Sequence, residues 1–208
     1  GRLKASFYGM PKTGKTRLAC TFPKPLLIIG TEDGTASVVG TPGIDFVQLQ
    51  KTDEFIEIVR GPVAGGRWKS VVLDTLIGLR DMRVAESLGL AETPTVRPNA
   101  RQNKEAYISA SGEVKSLLRQ FLDLPRLMDL NVIILSQEQT FIGEEEASNS
   151  DIIKPSVGSA GGKSVSDWVF AACDFNGQTL IRPQTVVQEV TIAGKKMDSY
   201  VKTGKKEY

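Results

Sequence analysis

The sequence predicts an α/β fold: a mostly parallel, twisted sheet with helices on both faces and a C-terminal antiparallel β-meander. Short apolar runs alternate with segments whose apolar residues recur at helical spacing. Several runs, such as LLII, are apolar throughout, which is typical of strands buried on both faces. A chain of 208 residues suits one domain with a proper core, so we expect residues 1–208 to form a single unit.

The N-terminal half is predicted to alternate between strand and helix. Strands are expected at 3–9 (LKASFYG), 25–30 (PLLIIG) and 46–50 (FVQLQ). Helices are expected at 15–22 (KTRLACTF) and at 52–61 (TDEFIEIVRG). The N-cap of the second helix is predicted to be Thr52 or Asp53.

The second half continues this pattern with two interruptions. Buried strands are predicted at 69–75 (KSVVLDT) and 131–137 (NVIILSQ), with an amphipathic helix at 113–128 between them. Two long polar segments, 89–104 and 138–166, break the alternation, and loops of this length are usually functional or disordered. From residue 173 the chain is expected to form the meander, with a turn at Asn176-Gly177.

The composition excludes several classes of site. The chain has no histidine, which removes Ser-His-Asp and Cys-His catalysis. Cys20 and Cys173 are far apart, so neither a zinc site nor a disulfide framework is indicated. The net charge of +2 is too weak to indicate a polyanion partner by itself. Apolar runs fall far below the ~18 residues of a membrane span, and we expect a cytoplasmic protein without a membrane partner.

Residues 9–16, GMPKTGKT, satisfy the pattern G-x-x-x-x-G-K-[ST] between a predicted strand and a predicted helix. Gly9 and Gly14 permit a tight loop whose backbone N–H groups surround phosphates. Lys15 is predicted to reach the β- and γ-phosphates, and Thr16 to ligate Mg²⁺. The residues expected to contact ATP are Gly9, Pro11, Lys12, Thr13, Gly14, Lys15, Thr16 and Arg17.

Three further polar residues follow predicted strands. Asp74 ends the run VVLD and is predicted to be the second metal-organising carboxylate, because ligands of open α/β sheets bind at the carboxyl ends of strands. Glu32, or the adjacent Asp33, is predicted to activate the attacking water in the absence of histidine. The amide of Gln137 is predicted to sense the γ-phosphate, with a plain surface glutamine as the alternative.

The order of these parts resembles the RecA-like recombinase core of P-loop NTPases, and most of all the small phage-encoded ATPases that act in single-strand annealing and recombination. The opening SFYGMPKTGKTRLACTFPKPLLIIGTEDGT is similar to their first strand, phosphate loop, helix and acidic second strand end. WKSVVLDT is similar to their second nucleotide motif, and NVIILSQ resembles the strand that ends in a γ-phosphate-sensing glutamine. The resemblance implies catalytic roles for Lys15, Glu32 and Gln137, and a place in the cytoplasm of a phage-infected or prophage-bearing bacterium.

The resemblance also implies two DNA-binding loops, one at 89–104 and the other at roughly 139–164, with plain solvated surface as the alternative for each basic residue. The candidate DNA-binding residues are Arg97, Arg101, Lys104, Lys154 and Lys163. GGKSVSDWVFAACDF resembles a loop exit into a short helix and a strand, so Trp168 and Phe170 are expected in the core. Tyr107 and Phe141 are candidates for stacking on bases. The acidic run Glu144–Glu146 would repel DNA locally.

Near the C-terminus, YVKTGKK is similar to the recombinase element whose lysines reach a neighbouring subunit's γ-phosphate. Lys202 and Lys205 are the matching residues, although their spacing departs from the bacterial pattern. A solvated basic tail is the alternative interpretation.

The predicted function is that of a DNA-dependent ATPase that uses ATP and Mg²⁺. It is expected to form a homo-oligomer, either filament or ring, that binds single-stranded DNA and promotes annealing or homologous pairing. A single-strand-binding protein is a further candidate partner. Two alternatives stay open at this point: a ring-forming motor such as a helicase, and a small-molecule P-loop kinase with residues 138–166 as its lid.

Overall fold

The three-dimensional structure is a computed structural model of the chain. It describes residues 2–32, 38, 40–90, 99, 102–141, 152–155, 165–192 and 195–207. In four of these stretches only the backbone is described, namely 139–141, 152–155, 182–192 and 195–207.

The described residues form nine strands and five α-helices. The strands are β1 Lys4–Gly9, β2 Leu26–Gly30, β3 Ile44–Gln48, β4 Ser70–Asp74, β5 Asn131–Phe141, β6 Ile152–Pro155, β7 Phe175–Thr179, β8 Arg182–Ile192 and β9 Lys195–Glu207. The helices are α1 Lys15–Ala19, α2 Thr52–Ile58, α3 Leu76–Ser87, α4 Lys104–Leu127 and α5 Val165–Ala172. A π-helical turn, Val59–Val63, extends α2.

Six strands form a parallel sheet in the order β3-β2-β4-β5-β1-β7. The predicted α/β fold with a mostly parallel sheet is therefore confirmed. Parallel strands share one direction, so β1, β2, β4, β5 and β7 all end at the same edge of the sheet. Beyond that edge, β5 continues and pairs antiparallel with β6. The last two strands, β8 and β9, form a separate antiparallel pair.

Apolar side chains from alternate strand positions supply a core on each face of the sheet. The residues facing α2, α3, α4 and α5 include Leu27, Ile29, Val71, Leu73, Val132 and Ile134. The residues on the opposite face, which pack with Ala19 of α1, include Leu26, Ile28, Val72, Ile133 and Leu135. The central strands are thus buried on both sides, which explains why their sequences are continuously apolar. The predicted helices on both faces are confirmed.

The predicted turn at Asn176-Gly177 is wrong. Both residues lie inside β7, which pairs parallel with β1, so that Asn176 lies opposite Ser6 and Gly177 opposite Phe7. A Cβ at Gly177 would come within 2.9 Å of the Phe7 ring, so this glycine permits close packing and not a turn. The antiparallel part of the C-terminus begins only at Arg182.

Two helices differ from the sequence prediction. Helix α3 was not predicted, because most of its residues are buried and its sequence lacks a clear polar face. Helix α4 begins at Lys104, nine residues before the predicted start at Glu113. Lys104 is therefore the first residue of a helix and not the end of a loop.

Smaller differences concern helix capping and a short strand. Helix α2 has its N-cap at Lys51, one residue before the predicted Thr52. The Thr52 hydroxyl instead donates to Glu86, at 2.5 Å. Strand β6 was not predicted, since its four residues lie within the long polar segment 138–166. Within the described part of the chain, none of the helices has the length and apolar character that crossing a bilayer requires.

Candidate nucleotide-binding site

The phosphate loop joins the end of β1 to the start of α1. Gly14 precedes the helix with φ 86°, a left-handed conformation that glycine adopts without strain. At Gly9 the constraint is space, because a Cβ there would collide with the carbonyl oxygen and the hydroxyl of Thr179. The two glycines of the motif thus serve different purposes: one turns the chain, and the other lets β7 approach the loop.

Lys15 lies over this loop and is 8% exposed. Its Nζ donates to the carbonyl oxygens of Gly9 and Met10, each at 2.8 Å. Burial lowers the pKa of Lys15, while the nearby carboxylates of Asp74, Glu32 and Glu138 oppose that shift. The Lys15 ammonium is held here by neutral carbonyl oxygens, and it can exchange them for phosphate oxygens, which are stronger acceptors.

Thr16 and Asp74 come together although β5 separates β4 from β1 in the sheet. The Thr16 hydroxyl donates to Oδ2 of Asp74 at 2.7 Å. Burial raises the pKa of Asp74, the hydrogen bond from Thr16 lowers it, Glu32 raises it, and Lys15 lowers it. Burial is the strongest of these influences, and the pKa is raised overall. A buried carboxylate of this kind gains most from a cation beside it.

This pair of oxygen donors fits Mg²⁺, which prefers carboxylate and hydroxyl oxygens. Among the described residues, no group of three or more His, Cys, Asp or Glu side chains could hold a metal ion. From these residues Thr16 and Asp74 would hold the ion, and phosphate and water oxygens would supply its remaining ligands. Mg²⁺ is usually bound in this way at nucleotide sites.

Glu32 follows β2, and both of its carboxylate oxygens have partners. Oε1 accepts a hydrogen bond from the Thr75 hydroxyl at 2.7 Å. Oε2 accepts a longer one from Nε2 of Gln137 at 3.4 Å. The predicted Glu32 and Gln137 therefore lie together, although 105 residues separate them in sequence.

Thr31 and Thr75 fix the position of this carboxylate. The Thr31 hydroxyl donates to the carbonyl of Thr75 at 2.9 Å and accepts from its N–H at 2.8 Å. Thr75 is also the N-cap of α3, where its hydroxyl accepts from the N–H of Gly78 at 3.2 Å. A Cβ at Gly78 would collide with the Thr31 side chain, so glycine lets the first turn of α3 approach β2.

The other predicted nucleotide contacts differ in exposure. Pro11, Lys12 and Arg17 are exposed at the surface of the loop and of α1. Thr13 is buried, and its hydroxyl donates to the carbonyl of Met10 at 2.7 Å. Asp33, the alternative to Glu32, lies outside the described residues.

For most of the predicted DNA-binding residues the structure does not describe the side chain. Arg97, Arg101, Lys163 and the run Glu144–Glu146 fall outside the described residues altogether. For Lys154, Lys202 and Lys205 only the backbone is described: Lys154 lies opposite Gln139, and Lys202 opposite Thr185. Lys104 has an exposed side chain at the start of α4.

The aromatic residues correct one part of the prediction. Tyr107 is 4% exposed and packs with Val84 and Ala110, so the prediction that it stacks on bases is wrong. Its polar neighbours in the sequence had suggested exposure, but Tyr107 lies on α4, on the face that packs against Val84 of α3. Trp168 packs against the larger core as predicted, and Phe170 lies against the ring of Tyr8 at 5.4 Å. The side chain of Phe141 is not among those described.

Sequence reasoning missed several residues at this site, and three of them are instructive. Thr75 could have been found, since a threonine directly after the strand-ending Asp74 is a favourable N-cap for a following helix. Glu138 contributes negative charge near Lys15, and its carboxylate accepts from Gln178 at 3.1 Å. Thr179 contacts the loop from 166 residues away, and no local pattern marks it.

Comparison with known proteins agrees with this geometry. A search of curated proteins finds no match. A family model described as "AAA domain" matches residues 2–204, which is nearly the whole chain. The protein therefore belongs to this AAA domain family, which is a family of P-loop ATPases.

Proposed function

We propose that this ATPase is DNA-dependent: it binds single-stranded DNA as a homo-oligomer and promotes annealing or homologous pairing. The observation that carries the proposal is the contact of Gln137 with Glu32 at the point where β5 leaves the sheet. This contact joins the hydrolytic centre to the strand that runs on toward the second candidate DNA-binding loop.

Strand β5 supports a coupling between nucleotide and DNA. Gln137 is the last β5 residue paired with β1, and from Glu138 onward the strand pairs with β6. Lys154 lies at the β6 position opposite Gln139, two residues beyond Gln137. A shift of Gln137 toward a γ-phosphate would therefore move the backbone that carries this lysine.

Hydrolysis in this site needs few groups. Lys15 leaves the carbonyls of Gly9 and Met10 and binds the terminal phosphates. Mg²⁺ supplies charge neutralisation at the phosphate oxygens when bound. Oε1 of Glu32 stays with Thr75, so Oε2 is left to accept a proton from the attacking water once Gln137 turns away.

DNA would be held mainly through its phosphates. Lys104 is exposed, and with Arg97, Arg101, Lys154 and Lys163 it would supply positive charge that tracks a backbone without reading bases. Oligomerisation would bring Lys202 and Lys205 of one subunit to the nucleotide of the next. In the cytoplasm, a single-strand-binding protein is a further expected partner, because it binds the same single-stranded DNA.

The direct test measures ATP turnover with and without an unstructured oligothymidine. We expect the DNA to stimulate turnover by tenfold or more, an allosteric coupling of roughly the usual size. Lys15→Ala should remove turnover in both conditions, whereas Lys69→Ala, which removes an exposed lysine paired with Asp129, should leave it unchanged. Absence of both stimulation and DNA binding would reject the proposal and favour a small-molecule kinase.

A second measurement tests the first candidate loop. Replacing Arg97, Arg101 and Lys104 together by glutamate should weaken DNA binding and flatten its salt dependence, because fewer counterions are released. An unaltered salt slope would show that this loop does not contact DNA. Directional unwinding of a duplex, without annealing, would assign the protein to the ring-forming motors instead.

A further inference from the structure

The carboxyl end of β7 lies directly against the phosphate loop. The hydroxyl oxygens of Thr179 and Thr13 are 2.7 Å apart. The Thr179 hydroxyl also lies 3.3 Å from the carbonyl oxygen of Tyr8. Gly9 has no side chain at the point where Thr179 approaches, so the contact depends on that glycine. Thr179 is therefore placed by the sheet itself, through the pairing of Gly9 with Thr179.

The hydroxyl protons fix the direction of this contact. The Thr13 hydroxyl lies 2.7 Å from the carbonyl oxygen of Met10, a good donor distance. Because a hydroxyl has a single proton, Thr13 then accepts from Thr179. The one proton of Thr179 has two acceptors in reach, Thr13 at 2.7 Å and the Tyr8 carbonyl at 3.3 Å, and the shorter contact is the stronger. The chain of donors runs from Thr179 to Thr13 and on to Met10. This chain of hydroxyl groups connects β7 to the loop.

The carbonyl of Met10 has a second role. It accepts from Nζ of Lys15 at 2.8 Å as well as from the Thr13 hydroxyl. When Lys15 turns to a phosphate, this carbonyl loses its ammonium donor and keeps Thr13. Among the described side chains, Thr13 is then the one that still donates to this carbonyl, and Thr179 is the hydroxyl that donates to Thr13.

We propose that Thr179 is a positioning residue for the phosphate loop, which acts through Thr13 to hold the loop in the shape that binds nucleotide. The proposal rests on ATP binding at this loop and is independent of any role for DNA. The effect is expected in ground-state binding: KM for ATP rises while kcat changes little, because the loop holds the phosphates before and during the reaction.

A double-mutant cycle tests the contact. Affinity for a fluorescent ATP analogue is measured for the wild type, Thr13→Ala, Thr179→Ala and the double variant. Loss of one neutral hydrogen bond should weaken binding by about fivefold in Thr179→Ala, and Thr13→Ala should be weaker still because it also loses the bond to Met10. Because Thr179 acts through Thr13, the double variant should be no weaker than Thr13→Ala alone, whereas independent effects would weaken it by about fivefold more.

Three controls separate positioning from general damage. Thr179→Ser keeps the hydroxyl and should restore wild-type affinity. Thr21→Ala removes another threonine hydroxyl, one that donates to the carbonyl of Leu18 just after α1, and should leave affinity unchanged. Thermal unfolding of each variant, recorded without nucleotide, shows whether the fold is intact.

The outcomes are distinct. Thr179→Ala with unchanged affinity, or a double variant whose losses multiply, would overturn the proposed role of Thr179. A serine variant as weak as the alanine variant would overturn it too, since the hydroxyl would not be the active group. Wild-type protein that binds no nucleotide would overturn the function of the loop itself, and this result is recognisable before any variant is compared.

Discussion

The hydroxyl of Thr16 donates to Oδ2 of Asp74 at 2.7 Å across 58 residues of sequence. One partner belongs to the first turn of α1 and the other ends β4, so the contact exists only because the sheet places both at one edge. The two oxygens lie where a cation could be held between them. Burial raises the pKa of Asp74, although Thr16 and Lys15 lower it. The ionised carboxylate is therefore not fully compensated by its neighbours, and a bound cation would stabilise it.

Asp74→Asn should therefore lower metal-dependent ATP turnover while leaving the fold intact. The amide keeps the size of the side chain and a hydrogen bond to Thr16, but it removes the negative charge that attracts Mg²⁺. We expect ATP turnover to fall on the order of a hundredfold. The midpoint of a Mg²⁺ titration should move to higher concentration. Glu57→Gln on the exposed face of α2 is the matched control and should leave both quantities unchanged.

Thr75→Val should lower both stability and turnover. The valine has the same shape but loses the donor to Glu32 and the N-cap acceptor for Gly78. We expect the free energy of unfolding to fall by about 1 kcal/mol, the usual cost of an N-cap. Turnover should fall by about tenfold, because Glu32 is held less firmly.

Thr75→Ser tests whether the losses come from the missing hydroxyl or from altered packing of the side chain. It keeps the hydroxyl and should restore turnover and most of the stability, as measured by urea unfolding and steady-state kinetics. If Thr75→Val lowered stability but left turnover intact, Thr75 would be a helix cap alone.

The parallel sheet and its polar edge could be predicted from sequence for one physical reason. Strands buried on both faces must be continuously apolar, and parallel strands must end together. Asp74, Glu32 and Gln137 each follow such a run, so their convergence follows from the topology without any knowledge of contacts. The structure places Thr16 beside Asp74, and Gln137 beside Glu32.

The remaining features depend on long-range packing that leaves no local trace. Asn176-Gly177 has the composition of a hairpin turn, yet pairing with β1 makes it strand, and Gly177 is needed there to clear Phe7. Helix α3 is buried around most of its circumference, which removes the polar stripe that reveals a helix. Thr179 contacts Thr13 only because β7 is the neighbour of β1, and that pairing joins segments of nearly opposite ends of the chain.

Cys173 should be almost inert toward alkylating reagents in the folded protein. Burial raises the pKa of Cys173 from 9.0 to about 12; Lys4 lowers it and Asp174 raises it. At pH 8 the thiolate fraction is then roughly a thousandfold smaller than for a free thiol, and the thiolate is the reactive form. The rate should rise with pH up to that pKa.

The measurement uses Cys20→Ser, which leaves Cys173 as the sole thiol of the chain. Iodoacetamide labelling is followed by mass spectrometry at several pH values, with the urea-unfolded protein as the reference. Labelling of the folded protein at the unfolded rate would contradict the raised pKa of Cys173, whose side chain is half-buried.

Gln137→Ala should remove the effect of ATP on DNA binding. Gln137 is the side chain of β5 that contacts Glu32, the proposed base, and β5 continues to the register position opposite Lys154. In the wild type, a non-hydrolysable ATP analogue should tighten binding to oligothymidine by about tenfold. In the variant the dissociation constants with and without the analogue should be equal, because no side chain then connects the nucleotide to β5.

Gln120→Ala, which removes the exposed hydrogen bonds from Arg60, is the matched control and should keep the tenfold difference. If the analogue still strengthened DNA binding by Gln137→Ala, another strand would have to couple the nucleotide site to DNA.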